Sequence, residues 1–82
     1  MKELKETCSL MVEEDYKKRF AAEYYQVETR LAKLEAMLEK WDKNELTFVP
    51  TCPRSLYDIQ VRAMKDYKAV LETRAVIEKV EL

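Results

Sequence analysis

Eighty-two residues carrying 15 basic and 16 acidic side chains, net charge −1, make one small domain without the basic excess of a duplex-binding protein. Charged residues make up 38%, hydrophobic residues 48%, and glycine is absent, which is a long-helix composition. With no His there is no His-containing zinc site. Cys8 and Cys52 are the only thiols, so there is no C-x-x-C pair, and both are expected to stay reduced in a cytoplasm.

The charge-alternating start, Met1-Lys2-Glu3-Leu4-Lys5-Glu6, lacks the apolar core of a signal peptide, and no stretch approaches the ~20 apolar residues that span a bilayer. The first long helix is expected from Ser9, as N-cap, to about Trp41. Phe20, Tyr24, Val27, Leu31, Leu34, Leu38 and Trp41 recur in alternating steps of four and three, the spacing of a coiled-coil seam. The run Lys17-Lys18-Arg19 reads as a solvated helix turn. Glu23 and Arg30, one heptad apart, either edge the seam or pair reciprocally in an antiparallel homodimer.

Residues 42–53 form a loop. Pro50 and Pro53 lack amide donors and push Val49 and Cys52 into extended conformations. Leu46 and Phe48 are expected to plug the hairpin's open end. Without glycine, Asn44 is the left-handed candidate that ends the first helix.

The second helix is expected over about 54–79. Pro53 suits its first turn, and Ser55 with Asp58 is a variant capping box. Leu56, Ile59, Ala63, Met64, Tyr67, Val70, Leu71 and Ile77 form an apolar arc of roughly 140°, wider than one partner helix covers. Arg74 falls near its middle, with Gln60 beside it. A guanidinium there needs an acceptor or a ligand. In the antiparallel hairpin, position n of helix two faces roughly position 95 − n of helix one, which predicts an Arg74–Glu23 ion pair, within a chain or across an interface. Two helices bury little surface, so the expected class is an all-α antiparallel helical hairpin that assembles into a homo-oligomeric bundle.

A catalytic role has no support in these residues. There is no His base, Gly-rich phosphate loop, metal cluster or nucleophile elbow, and Ser9 and Ser55 read as caps. Tyr57 beside Arg54 at the start of helix two is a base-stacking and phosphate-holding pair, or an ordinary surface cap.

The chain resembles a family of small phage and prophage proteins named for relatedness to a gene of a crAss-like phage. The residues that carry the resemblance are Glu23-Tyr24, Arg30, Lys33-Leu34, the loop Leu46-Thr47-Phe48-Val49-Pro50-Thr51-Cys52-Pro53, Gln60, Met64, Tyr67 and the run Leu71 to Glu78. Family loops often carry a glycine near Lys43 or Asn44, which this chain lacks. The resemblance implies a non-catalytic phage accessory protein in the cytoplasm of an infected bacterium. Cys52-Pro53-Arg54-Ser55 and the helix after it are also similar to one family of oligomeric phage sponges, which sequester cyclic nucleotides or ADP-ribose-type immune signals.

On that reading Arg54, Arg62, Arg74 and Arg30 hold phosphates and Tyr57, Tyr67 or Tyr25 stack on bases. The ligand is a cyclic oligonucleotide or a cyclic ADP-ribose isomer, held between protomers without cofactor or metal. The alternatives are a helical module that blocks or scaffolds a host or phage protein, and a purely structural accessory.

Overall fold

The computed structural model describes residues 1–82 as an all-helical chain with no strand. A 3-10 turn at Leu4–Thr7 leads into α1 (Cys8–Met11), followed by α2 (Tyr16–Asp42) and α3 (Arg54–Glu78). The two long helices pack antiparallel. The molecule is 43 Å long and 18 Å across its thinnest axis.

The long helix starts at Tyr16, not Ser9. Asp15 is its N-cap, in an extended conformation, and its carboxylate accepts from the Lys17 amide at 2.9 Å. Arg19 holds the preceding turn by donating to the carbonyls of Glu13 and Glu14 at 2.6 and 2.7 Å. Ser9 lies inside α1. The N-terminal segment therefore folds back along α2. The Thr29 hydroxyl donates to the Lys2 carbonyl at 2.5 Å, and Gln26 donates to the Thr7 hydroxyl at 2.9 Å. Thr7 and Thr29 are buried by this contact. Both are hydrogen-bonded, so their burial leaves no polar atom without a partner.

Asn44 has φ 58°, as the missing glycine requires. The Glu45 amide donates to the Lys40 carbonyl at 2.8 Å and the Asn44 amide to that of Trp41 at 3.0 Å, which is a Schellman ending. Asn44→Ala is expected to cost about 1 kcal/mol, because a Cβ without a local hydrogen-bonding side chain disfavours this conformation, whereas Asn44→Gly is tolerated. Paired thermal melts check the difference. A second left-handed residue, Lys79, ends α3, and the Val80 amide returns to the Ala75 carbonyl at 2.8 Å. That turn drives Val80 into the core.

Phe20, Tyr24, Val27, Leu71, Ala75 and Val80 form the core, with Tyr25 packed against it. Along the α2 seam Leu31 and Leu38 are also buried, and Leu34 and Trp41 half-buried. The cross-helix pairs Tyr16–Glu78, Tyr24–Glu72, Lys68–Glu28 and Arg54–Asp42 each fall within one position of the expected register. Two further expectations change. Pro53 precedes α3 without any side-chain cap, so Ser55 and Asp58 form no capping box, and Asp58 instead accepts from Arg54. Phe48 is 54% exposed and lies with Leu46 beside Ala36 and Met37, along the flank of α2 and not as a plug. As its width implied, the α3 arc is only partly covered, and the hairpin uses one edge of it. Leu71 is fully buried, while Leu56, Ile59, Val70 and Ile77 remain 51–73% exposed.

Candidate ligand-binding site

The seven residues singled out from the sequence fall into separate places on one chain. At the loop end, Arg54 is half-buried. It makes a two-pronged contact with Asp42, one prong at 3.2 Å, and a further bond to Asp58 at 3.1 Å. Its guanidinium lies over the Trp41 ring, 5.5 Å from the centroid, and Trp41 meets Tyr57 edge-on at 5.9 Å. The hydrogen bond from Arg54 holds the Asp42 carboxyl below its ordinary range. Burial, with Cys52 alongside, raises the Tyr57 phenol. Two carboxylates already answer this guanidinium, so in the single chain the Arg54–Tyr57 pair clasps the loop end.

About 30 Å away along α3, at 1.5 Å per residue, lies Arg74. Within the chain it does not pair with Glu23. Its guanidinium donates to Glu78 at 3.1 Å and to the Tyr16 hydroxyl at 3.0 Å, and the Tyr16 hydroxyl donates to Glu78 at 2.8 Å. The Phe20 ring lies under it, 4.9 Å from the centroid. Glu78 is one turn along the same helix and meets Arg74 without any reach across the hairpin. Glu23 instead accepts from the Tyr67 hydroxyl. The Tyr16 hydrogen bond, then Arg74, lowers the Glu78 carboxyl, and the hydrogen bond to Glu23 raises the Tyr67 phenol. Arg74 and Tyr67 are both exposed. The Arg74 guanidinium is thus bonded within the chain, and on α3 it borders Val70 and Ile77, which nothing covers.

Arg30 and Arg62 are exposed and form no ion pair. Glu23, the proposed reciprocal partner of Arg30, is engaged by Tyr67 within the chain. Tyr25 is half-buried, edge-on to Tyr24 at 5.8 Å, with the Lys2 ammonium 5.2 Å above its ring.

Tyr25 also lines an open cleft of about 550 Å³ where the start of α2, the N-terminal segment and the end of α3 meet. Lys2, Lys17, Lys18 and Lys79 line it too. Lys17, Lys18 and Arg19 are exposed in the first turn of α2, as expected of a solvated turn; in addition Arg19 ties the turn and both lysines border the cleft. The paired lysines were visible in the sequence, but the fold-back that brings Lys2 and Lys79 to them was not. A smaller cleft of about 270 Å³ lies between α2 and the loop, beside Leu46 and Phe48. No group of three or more His, Cys, Asp or Glu side chains is placed to hold a metal ion, and no helix is long and apolar enough to cross a membrane.

The fold defines an all-helical hairpin protein with an arginine–tyrosine clasp at its loop end, a lysine-lined cleft at the other end, and one apolar helix face uncovered. This chain belongs to the Sequestin family, whose family model matches residues 14–77. The match takes in all of α2, α3 as far as Ile77, and all seven singled-out residues. No curated protein and no solved structure matches the chain.

Proposed function

We propose that this protein is a non-catalytic sponge: copies of it assemble and hold a nucleotide-derived immune signal of a bacterial host, in the service of a phage. The observation that carries the reading is the family match over residues 14–77, since the family's name denotes sequestration. The phage setting, the host cytoplasm and relatedness to the crAss-like phage gene rest on the sequence resemblance.

Assembly uses the uncovered α3 face. Leu56, Ala63, Val70 and Ile77 recur every seven residues. Two α3 helices paired antiparallel about a two-fold axis set Leu56 of one copy against Ile77 of the other, and the small Ala63 against the larger Val70. Beside that seam Gln60, Tyr67 and Arg74 also recur every seven residues. The same axis brings Gln60 of one copy to Arg74 of the other, and the two Tyr67 rings together. The polar strip within the apolar arc is thereby self-complementary, with an amide carbonyl offered to each guanidinium. Arg62, Arg30, Arg54, Tyr57 and Tyr25 remain candidate ligand contacts around the assembly.

Calorimetric titration with cyclic di- and trinucleotides and with cyclic ADP-ribose isomers tests the sponge. At least one compound is expected to bind below micromolar, more than ~8 kcal/mol of binding free energy. Absence of heat across the whole panel, with no thermal shift, removes the reading. A protein-binding module is the second reading, supported by the exposure of Leu56, Ile59, Val70 and Ile77 on one face. It gains if that face binds a host protein while every nucleotide fails.

A further inference from the structure

We propose that the lysine-lined cleft beside Tyr25 is a phosphate-binding subsite that takes the phosphate edge of a nucleotide ligand. The nucleotide part of this assignment rests on the sequestering reading above; the cleft's affinity for phosphate does not.

The four lysines of the cleft have no carboxylate within 4.0 Å, as is also true of Lys5 and Lys40, whereas Lys33, Lys43, Lys65 and Lys68 each have one; only in the cleft do four such lysines converge. Asp15 and Glu81 also border it, so four ammonium groups against two carboxylates leave a local charge of +2 in a chain whose net charge is −1. Asp15 is moreover engaged as the helix cap. A cleft with a net positive lining attracts an entering anion, and a local +2 suits two phosphodiester charges or one phosphate dianion.

Helix stability does not explain the placement. Lys17 and Lys18 stand in the first turn of α2, which holds no acidic residue. Cations there oppose the helix dipole, and an anion would reverse that cost. The other two lysines are delivered by backbone geometry. Lys79 occupies the left-handed position that ends α3, and the Lys2 carbonyl is fixed by Thr29. The Lys2 ammonium rests on the Tyr25 ring and exposes no other bond to be broken, so it moves to a phosphate oxygen at the cost of one cation–π contact. Lysine suits a phosphate as a rotatable point charge with three donors. At about 550 Å³ the cleft lies within the size range of small-molecule sites, roughly 300–1,000 Å³.

The test titrates isotope-labelled protein with pyrophosphate by NMR, in parallel with calorimetry on cyclic dinucleotides. Pyrophosphate is expected to shift the amides of Lys17, Lys18 and Lys79. The double variant Lys17→Gln/Lys18→Gln, with unchanged helix content by circular dichroism, is expected to weaken both probes by at least about tenfold. The proposal is overturned if pyrophosphate does not bind, if its shifts gather around Arg62 and Arg74, or if the double variant binds it as the parent does. Cyclic dinucleotides that bind parent and variant equally overturn the subsite and leave the sponge standing. Pyrophosphate binding in the cleft, with no cyclic di- or trinucleotide and no cyclic ADP-ribose isomer bound anywhere, overturns the nucleotide assignment and, with it, the sponge.

Discussion

Leu71→Ala is expected to lower the unfolding free energy by about 3 kcal/mol, within the 2–5 kcal/mol typical of a buried leucine truncation. Leu71 is 0% exposed and belongs to a core of only six side chains. Its neighbours are an aromatic pair from α2, Phe20 and Tyr24, and the chain end that returns through Val80. Neither can collapse into the space: the Tyr24 hydroxyl is tied to Glu72 at 3.0 Å, and Val80 is held by its amide bond to Ala75. At roughly 4–8 °C per kcal/mol for a domain of this size, the melting midpoint should fall by about 12–24 °C. Circular dichroism melts at one fixed protein concentration measure it, since assembly would make the midpoint concentration-dependent. A fall of only a few degrees would show that the stability resides between copies and not within the hairpin.

The double variant Val70→Glu/Ile77→Glu is expected to abolish assembly while the hairpin stays helical. In the single chain these side chains are 54% and 73% exposed and are not part of its core, so charge there costs the monomer little, about 0.5 kcal/mol or less per site. In the antiparallel pairing each substitution instead buries a carboxylate without a partner, at several kcal/mol, twice per dimer. Light scattering after gel filtration should give a multiple of 9.8 kDa for the parent and 9.8 kDa for the variant. A parent that elutes as 9.8 kDa at high concentration, well folded, refutes the interface and the pocket between copies. A variant that still assembles refutes this face as the interface.

How legible the chain was depends on the range of each interaction. The spacing from Phe20 to Trp41 was enough to place the α2 seam, and the absence of glycine was enough to assign Asn44 its left-handed turn. Both follow from local geometry, which a single chain segment carries. The hairpin register was legible as well, because the Pro-marked loop marks which ends of the two long helices lie level.

Partner choice was not legible. Arg74 on a helical wheel demanded an acceptor, and Glu23 lay at the right level, but the guanidinium took Glu78 one turn away and Tyr16 from the far end of α2. Several long side chains can reach several acceptors there, and the differences among them are smaller than a wheel resolves. The seven singled-out residues likewise shared chemistry but not position, for Arg54 and Arg74 stand at opposite ends of α3.

The sequence by itself determined two amphipathic helices, their antiparallel register, their Pro-marked connection and an α3 face too wide for its partner, because periodicity and backbone chemistry are local properties. Only the tertiary structure decided that residues before Asp15 leave the helix and fold back along α2, and that Lys79 turns the chain so that Val80 enters the core. Those two reversals set Lys2 and Lys79 beside Lys17 and Lys18. They depend on contacts between segments distant in sequence, and no window along the chain contains both partners.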